Sequence, residues 1–286
     1  MSATPTPTQY DQIATQYELI KTTPGDKICV STNQLVLGNI TGLRVLDLAC
    51  GTGWWGRKLI EWGASTVVGI DISAPMIEVA KTSVAQNPAL QSRLEFHVGD
   101  LTKPNVLKEL DITPESFDLV HGAWLLNYAS TPSELTAIFR TIASALKPSL
   151  SSSEGGPNTT NSSRFVALIP NILDQAYSFT NPFNMSKYGA ITEPVAKIPH
   201  GWKTHLRTLT EPPVQFENYF LNETGLYERC AREGGLEIVR LEVVGPGRAE
   251  LEAWPEGFWD DYVRRPGARV LVAVRAGESG EDGRVV

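Results

Sequence analysis

Short apolar segments alternate with helical segments through the first 170 residues, and this alternation constrains the fold more than any other feature. Five segments have the length and composition of buried strands: residues 43–48, 66–70, 94–98, 117–120 and 165–169. Helical spacing of apolar residues fills the intervals, and Thr131-Pro-Ser-Glu134 has the capping box of a helix start. Strands that alternate with helices in this way predict a parallel, doubly wound α/β sheet with right-handed crossovers.

The alternation ends after residue 170. Residues 171–222 are rich in aromatic residues and proline and have little periodicity, which predicts an inserted cap. A helix over 223–233 and two more strands, at 236–244 and 269–274, follow it. Near the N-terminus, the spacing of apolar residues predicts short helices over 10–17 and 27–37.

Composition excludes several classes of partner. The net charge is −7 and no basic run occurs, so we expect no nucleic-acid partner. No segment is apolar for long enough to span a bilayer. The three cysteines lack metal-ligand spacing, which predicts reduced thiols, a cytoplasmic protein and no metal site. We expect a monomer or homodimer that acts on a small molecule.

The glycine loop after the first strand, "VLDLACGTGWWG" at Val45–Gly56, permits two interpretations. With Asp71 about twenty residues on, it matches the fingerprint of a dinucleotide-binding loop. However, Asp47 at the strand end would direct negative charge toward the phosphates of such a ligand. S-adenosylmethionine carries an ammonium and a sulfonium and has no phosphate, so it suits this loop better. Gly51 and Gly53 then let the backbone approach the ligand, and Gly56 packs a helix on the sheet.

Four successive motifs carry a family resemblance. They are VLDLACGTG (45–53), VGIDIS (68–73) with Met76, Gly99-Asp100-Leu101, and FDLVHGAWLLNY (117–128). Together they resemble class I S-adenosylmethionine-dependent methyltransferases, in particular the small-molecule enzymes of natural-product pathways. The resemblance implies a Rossmann-like, doubly wound, seven-stranded mixed sheet with a C-terminal antiparallel hairpin and a cap inserted after strand 5.

The resemblance also implies the domain organisation and the cofactor-binding residues. The predicted parts are an N-terminal helical lid (1–40), a core (41–170) with a flexible loop (149–163), a cap with its helix (171–235), closing strands (236–275) and a disordered tail (276–286). The residues expected to bind S-adenosylmethionine are Tyr10, Tyr17, Asp47, Ala49, Cys50, Gly51, Gly53, Asp71, Ile72, Met76, Asp100, Leu101, His121 and Gly122. Asp71 would accept both ribose hydroxyls, and Asp100 the adenine amino group.

Methyl transfer from a sulfonium mainly requires a nucleophile held in line with the methyl group. A general base matters when the acceptor is a hydroxyl, and His121 is the best-placed candidate ahead of His200, His205 and Glu193. The alternative for His121 is a positioning or structural role. The residues predicted to bind the acceptor are Trp124, Asn127, Tyr128, Tyr177, Phe183, Tyr188 and His200. These aromatic side chains suit a flat or polycyclic acceptor.

The sequence therefore predicts methyl transfer to an O, N or S atom of a small aromatic or polycyclic metabolite. Two alternatives stay open. In the first, the chain has the same fold and cofactor but is a cyclase, a pericyclase or a regulatory protein. In the second, the chain is an NAD(P)-dependent oxidoreductase.

Overall fold

Two β-sheets organise the computed structural model, which describes residues 8–148, 163–171 and 185–277. Ten strands lie within these ranges: β1 (Arg44–Leu48), β2 (Thr66–Asp71), β3 (Leu94–Val98), β4 (Leu119–His121), β5 (Arg164–Pro170), β6 (Ala190–Ile198), β7 (Gly201–Thr208), β8 (Gln215–Leu221), β9 (Leu236–Val243) and β10 (Ala268–Arg275). Seven of them form the main sheet, in the order β3-β2-β1-β4-β5-β10-β9. The predicted seven-stranded mixed sheet is confirmed.

The topology of the main sheet defines where a ligand can bind. Strands β1 to β5 run parallel to one another, whereas β10 runs antiparallel to both β5 and β9. The chain leaves β1 toward β2 on one side and returns to β4 on the other. Ligands in such sheets bind beyond the carboxyl ends of the strands at this reversal. Asp47 of β1 lies at this point, in register with Gly69 of β2 and His121 of β4.

Helices pack on both faces of the main sheet. In the same described ranges they are α1 (Pro24–Leu37), α2 (Trp54–Glu61), α3 (Ala74–Ala85), α4 (Pro88–Gln91), α5 (Val106–Glu109), α6 (Pro132–Ala145), α7 (Leu226–Glu233), α8 (Arg248–Ala253) and α9 (Asp260–Arg264). Three of them begin at a hydroxyl cap followed by proline in the first turn. Thr23, Ser73 and Thr131 accept the backbone N–H three residues on, which supplies partners that a helix start otherwise lacks. The predicted start of α6 is confirmed.

Consecutive residues of the buried strands enter two separate cores, one on each face. In β4, Leu119 belongs to the core under α1 and α2, and Val120 to the core under α6 and α7. Phe117, Phe139 and Phe165 are completely buried in the second core. Because both faces are covered, the central strands carry apolar residues on both faces, with polar residues such as Asp47 and His121 toward their carboxyl ends.

The second sheet is antiparallel, in the order β6-β7-β8, and occupies part of the region predicted to be an aperiodic cap. The prediction missed its strands because polar residues interrupt the apolar period. In β8, Phe216, Asn218 and Phe220 all point inward. The Thr204 hydroxyl of β7 donates to Asn218 Oδ1, so the pair is buried with its polar atoms satisfied.

Several elements differ from their predicted bounds. Instead of a helix over 10–17, 3-10 turns span Gln9–Gln12 and Tyr17–Thr22, and α1 begins three residues before 27. Further 3-10 turns lie at Leu126–Tyr128 and Met185–Tyr188. Most of the predicted loop at 149–163 and of the tail at 276–286 lies outside the described residues.

The described residues contain no helix with the length and apolar character that crossing a membrane requires. All three cysteines are described, and each is buried and free of a disulfide.

Candidate functional site

Two cavities lined by described residues open near the carboxyl edge of the main sheet. The larger, about 470 Å³, is lined by residues that follow β1, β2, β3 and β4, and we call it the motif cavity. The smaller, about 130 Å³, lies between the N-terminal segment and the second sheet, and we call it the apolar cavity. Tyr17 lines both, so the two cavities share a wall.

The motif cavity contains ten of the residues that the sequence singles out. They are Tyr10, Tyr17, Ala49, Gly51, Asp71, Ile72, Met76, Asp100, Leu101 and Tyr128. Sequence reasoning missed other lining residues, among them Gln9, Thr102, Ala123, Leu125 and Tyr219. Ala123 and Leu125 belong to the fourth motif and had a detectable signal, whereas Gln9 and Tyr219 reach the cavity only through tertiary folding.

The glycines of the loop have separate functions. Gly51 lines the motif cavity with φ +54°, and a Cβ there would meet only a Tyr17 ring carbon at 3.8 Å. Gly53, with φ +73°, faces the core, where a Cβ would lie 2.7 Å from the Phe96 ring. At Gly56 a Cβ would lie 3.1 Å from a Leu94 methyl group. Gly51 thus keeps the cavity open, while Gly53 and Gly56 allow helix α2 to pack closely on the sheet.

Asp71 is a buried carboxylate at the end of β2 that lines the motif cavity. Its Oδ2 accepts the Gly51 N–H at 2.8 Å, and its Oδ1 accepts the Ser73 N–H at 2.9 Å. Burial raises the pKa of Asp71 to about 6, against the lowering effect of these two hydrogen bonds. The carboxylate therefore gains from any ligand that donates further hydrogen bonds to it.

Asp100, at the other end of the motif cavity, accepts both the N–H and the hydroxyl of Thr102 through Oδ1. Ile72 is 45% exposed although it is apolar, and Met76 is buried beside it in the lining. Such an exposed apolar side chain offers a surface to a flat ligand. This end combines that surface with the hydrogen-bond acceptor predicted for adenine.

The N-terminal segment covers the motif cavity with aromatic rings. The Tyr10 hydroxyl donates to the Tyr128 hydroxyl at 2.6 Å, and the Tyr10 ring packs edge-on against Tyr17 and Tyr128. Burial raises the pKa of all three tyrosines, and the negative charge of Asp71 adds to this rise. Their hydroxyl groups consequently stay protonated and act as hydrogen-bonding groups.

Polar contacts fasten this segment to the glycine loop and to α3. Glu18 Oε1 accepts the Thr52 hydroxyl at 2.8 Å and pairs with the Arg57 guanidinium at 2.6 Å. The Ser73 hydroxyl donates to Asp11 at 2.7 Å. We call residues 8–22 the N-terminal cover. Thr8, Gln9, Tyr10 and Tyr17 of this cover line the motif cavity.

The two tryptophans of the glycine loop hold Lys21 of the cover. Its ammonium lies 4.8 Å from the Trp54 ring centroid and 4.9 Å from that of Trp55, and it pairs with Asp26 at 3.0 Å. Cation–π contacts of this kind add to the ion pair where water is excluded. The sequence WW at 54–55 thus serves the cover rather than a ligand in the motif cavity.

His121 does not reach either cavity, which argues against the catalytic role predicted for it. Its ring is completely buried, with Nδ1 2.7 Å from Asp47 Oδ1 and Nε2 2.9 Å from the Asn33 amide nitrogen. The amide of Asn33 donates to Nε2, so Nδ1 carries the proton and donates to Asp47. Both ring nitrogens are occupied, and His121 connects α1 to β1 and β4 beneath the glycine loop.

Other predicted residues also lie away from the cavities. Asp47, Cys50, Gly53 and Gly122 belong to the layer beneath the motif cavity, and any contribution of Cys50 to the loop comes from its backbone. His200 is partly exposed and pairs with Glu223 at 2.6 Å, outside the lining of both cavities. Tyr177 and Phe183 lie outside the described residues.

The apolar cavity gathers three of the predicted acceptor-binding residues: Trp124, Asn127 and Tyr188. Trp124 adopts φ +65°, an uncommon conformation for a bulky side chain, next to the end of β4. Tyr188 is fixed by its hydroxyl, which donates to the Phe258 carbonyl and accepts the Tyr262 N–H. Tyr128, also predicted here, lines the motif cavity instead.

Lys21 and Asp26 of the apolar cavity were not predicted. Asp26 lies in the first turn of α1 and pairs with Lys21 of the preceding 3-10 turn. Asp26 lies one residue before the helix predicted over 27–37, and no motif of the sequence marks either residue as part of a site.

The seven-stranded mixed sheet has the fold of S-adenosylmethionine-dependent methyltransferases of known structure. Residues 45–149 match the family model of the methyltransferase domain, and the chain carries this domain. The family predicted from the sequence, and S-adenosylmethionine as its cofactor, are confirmed by this match together with the relatives below.

The similar proteins are themselves methyltransferases or share their fold. The chain is 42% identical over 66 residues to magnesium-protoporphyrin O-methyltransferase of Rhodobacter capsulatus, which covers 23% of this chain and 28% of that protein. An S-adenosylmethionine dependent methyltransferase of Mesorhizobium loti superposes with a TM-score of 0.57 at 21% identity, covering 90% of this chain and 100% of the other. The [4+2]-cyclase SpnF superposes with a TM-score of 0.54 at 17% identity, covering 96% and 99%. The chain spans less than half the length of the curated relatives it matches.

Proposed function

We propose that this chain transfers the methyl group of S-adenosylmethionine to an O, N or S atom of a small, apolar, aromatic molecule. One observation carries the proposal: the motif cavity and the apolar cavity share Tyr17 as a common wall. A methyl donor and an acceptor that occupy these two cavities lie next to each other, on either side of the Tyr17 side chain. We further propose a cytoplasmic role in natural-product metabolism, from the subfamily resemblance and the free cysteines.

The residues of the motif cavity fit S-adenosylmethionine. Asp71 is a buried carboxylate whose pKa is raised to about 6, so hydroxyl donors from a ribose lower the cost of its charge. The open side of Gly51 leaves room for the ligand at the loop, and Ile72, Met76 and Asp100 suit adenine. The buried Asp71 charge and the tyrosine rings favour a cationic ligand over a pyrophosphate, since both present negative potential.

The apolar cavity fits an acceptor with little charge. Its lining includes Trp124, Tyr188 and Phe220, together with the aromatic wall of Tyr17 and Phe216. Ligand sites of small molecules typically combine such a lining with a few polar groups. The thiol of Cys29 lies in the same lining, but burial raises its pKa far above the usual range, so it stays protonated.

When bound, S-adenosylmethionine supplies a methyl group on a positively charged sulfur atom, which is displaced in line by the acceptor. Asp71 and Gly51 hold the donor end in place, and the N-terminal cover excludes water from it. Tyr10, Tyr17 and Tyr128 surround the junction with protonated hydroxyl groups. Positioning of this kind contributes about 7–11 kcal/mol to the rate of such reactions. The methylated acceptor releases its proton to solvent, because His121 reaches neither cavity and cannot receive it.

Incubation of the protein with methyl-labelled S-adenosylmethionine and a panel of phenols, aromatic amines and thiols tests the proposal. We expect a labelled methyl product from one acceptor class, and we expect one molecule of S-adenosylhomocysteine for each molecule of that product. The matched variants are Asp71→Ala, which removes the donor site, and Glu61→Gln, a surface control. Tight binding of S-adenosylhomocysteine without label transfer to any acceptor would favour the non-methylating alternative, a role that the fold of the [4+2]-cyclase SpnF accommodates.

A further inference from the structure

Asp26 places a partly paired carboxylate in the lining of the apolar cavity. Its side chain is 4% exposed, and Oδ1 pairs with the Lys21 ammonium at 3.0 Å. Oδ2 is buried and has no hydrogen-bond partner. Burial raises the pKa of Asp26 in spite of the neighbouring ammonium of Lys21. A buried carboxylate oxygen without a partner is costly, and a ligand that donates a hydrogen bond removes that cost.

Asn127 adds a second acceptor to the same lining. It is 1% exposed, and its Oδ1 is likewise buried without a hydrogen-bond partner. The last torsion of carboxylate and amide side chains is soft, so both groups can turn toward a ligand at little cost. Two elements far apart in the chain, α1 and the turn after β4, thus bring two unsatisfied acceptors to one cavity.

Neighbouring polar side chains of the lining already have partners. Thr23 donates to the Ile20 carbonyl, Thr208 pairs with Thr210, and Asn218 accepts from Thr204. The buried polar atoms without a partner in this part of the cavity are therefore acceptors, Asp26 Oδ2 and Asn127 Oδ1, which a ligand with hydrogen-bond donors would satisfy. Lys21 is the cation of the described lining, and it is held by Asp26 and the two indole rings. An anionic ligand would meet the Asp26 carboxylate without a free cation to balance it.

We propose that Asp26 and Asn127 form the recognition site for the acceptor, which is an apolar aromatic molecule that carries a hydroxyl or amine donor and no anionic group. This inference rests on the proposed function, because it assigns the apolar cavity to the acceptor. It deepens that function by excluding carboxylates and phosphates from the acceptor class.

Three probes of one shape test the inference on the complex of the protein with S-adenosylhomocysteine. They are 2-naphthol, which has a donor, 2-methylnaphthalene, which has none, and 2-naphthoate, which is anionic. Calorimetry should show that 2-naphthol binds about 10- to 100-fold more tightly than 2-methylnaphthalene, the range of a hydrogen bond to a charged group. Apolar burial alone would favour 2-methylnaphthalene. We expect no measurable binding of 2-naphthoate.

Variants assign the preference to its residues. Asp26→Asn and, independently, Asn127→Leu should each reduce the preference for 2-naphthol at least threefold. Thr192→Val removes another hydroxyl from the same lining and should retain the preference. Affinity for S-adenosylhomocysteine reports on folding, because neither Asp26 nor Asn127 lines the motif cavity. If one of the two variants does not bind S-adenosylhomocysteine, the other variant still tests the recognition site.

The two proposals fail in different ways. Failure of the wild-type protein to bind S-adenosylhomocysteine contradicts the proposed function itself. If S-adenosylhomocysteine binds but 2-naphthol has no advantage, or no measurable affinity, the recognition site is refuted and the proposed function stands. A preference that survives in both variants also refutes it.

Discussion

Replacement of Asp71 by asparagine tests the site most directly, because the structure implies a specific dependence of ligand binding on pH. Asp71 is 9% exposed and its pKa is raised from 3.8 to about 6, chiefly by burial. A ribose donates to the ionised carboxylate, so binding favours the charged form. Ligand binding therefore strengthens as the pH rises through about 6 and weakens as it falls.

The magnitude follows from the ionised fraction of Asp71 in the free protein. With a pKa of about 6, about 9% of the molecules are ionised at pH 5 and about 91% at pH 7. The affinity for S-adenosylhomocysteine should therefore rise about tenfold between these pH values, with release of nearly one proton at pH 5. In Asp71→Asn this dependence should disappear, and at pH 7 the affinity should fall about 10- to 100-fold.

Calorimetry in buffers of different ionisation enthalpy measures both the affinity and the proton count. Asp100→Asn is the matched control, because it removes the other carboxylate of the cavity and should weaken binding while the pH dependence persists. An affinity that is constant from pH 5 to 7.5 in the wild type, or a dependence retained in Asp71→Asn, would refute the assignment.

The same shift affects the stability of the free protein. Because the folded pKa of Asp71 lies above the unfolded value, the unfolded chain releases this proton at lower pH. The contribution of Asp71 to the free energy of unfolding thus decreases as the pH rises from about 4 to 6, and the full cost, about 3 kcal/mol, is present above pH 6. Saturating ligand should remove part of this cost, seen as a larger thermal shift at pH 7 than at pH 5.

Three further predictions concern other parts of the site. Arg57→Met removes the ion pair to Glu18 that fastens the N-terminal cover; stopped-flow should show dissociation of S-adenosylhomocysteine up to about fivefold faster, since partly exposed pairs contribute at most about 1 kcal/mol. Gly53→Ala should lower the free energy of unfolding by about 2–4 kcal/mol through contact with an aromatic ring, whereas Gly51→Ala should lower it by about 1 kcal/mol and mainly weaken ligand binding, as urea denaturation and calorimetry would show. His121→Asn should cost about 3–5 kcal/mol of stability in urea denaturation, and the pH profile of methyl transfer should keep its shape, because His121 only supports a buried carboxylate.

Each of these predictions has a control and a contrary outcome. Glu61→Gln removes a surface pair of the same helix and should leave the dissociation rate unchanged. A dissociation rate in Arg57→Met equal to that of the wild type would mean that the Arg57–Glu18 pair does not hold the cover. Equal losses of stability in Gly51→Ala and Gly53→Ala would contradict the division of roles within the loop. Loss of one limb of the pH profile of methyl transfer in His121→Asn would indicate that His121 takes part in proton transfer.

The fold was largely predictable because its signal is local. Buried parallel strands are apolar on both faces, and hydroxyl caps with proline mark helix starts, so β1 to β5 and α6 follow from the order of residues. The second sheet was not predictable, because the buried Thr204–Asn218 pair gives its strands a polar residue where the pattern requires an apolar one.

The convergence of the strand-end residues on the motif cavity was predictable for a topological reason. Parallel strands bring their carboxyl ends to one edge, so Ala49, Gly51, Asp71 and Asp100 had to converge there. The topology does not determine in which direction a side chain at that edge points. His121 has the same kind of position, yet the pleat of β4 turns its ring into the core toward Asp47.

The sequence by itself therefore determined the class of fold and the convergence of the strand-end motif residues on one cavity. The carboxylate from which the charge of the ligand was predicted, Asp47, lies beneath that cavity and pairs with His121. Only the tertiary structure decided which residues line the apolar cavity. Lys21 and Asp26 precede the first strand, and Asn127 follows the fourth, about a hundred residues on. No period or motif joins such residues, because their proximity arises when α1 and the N-terminal cover pack over the finished sheet.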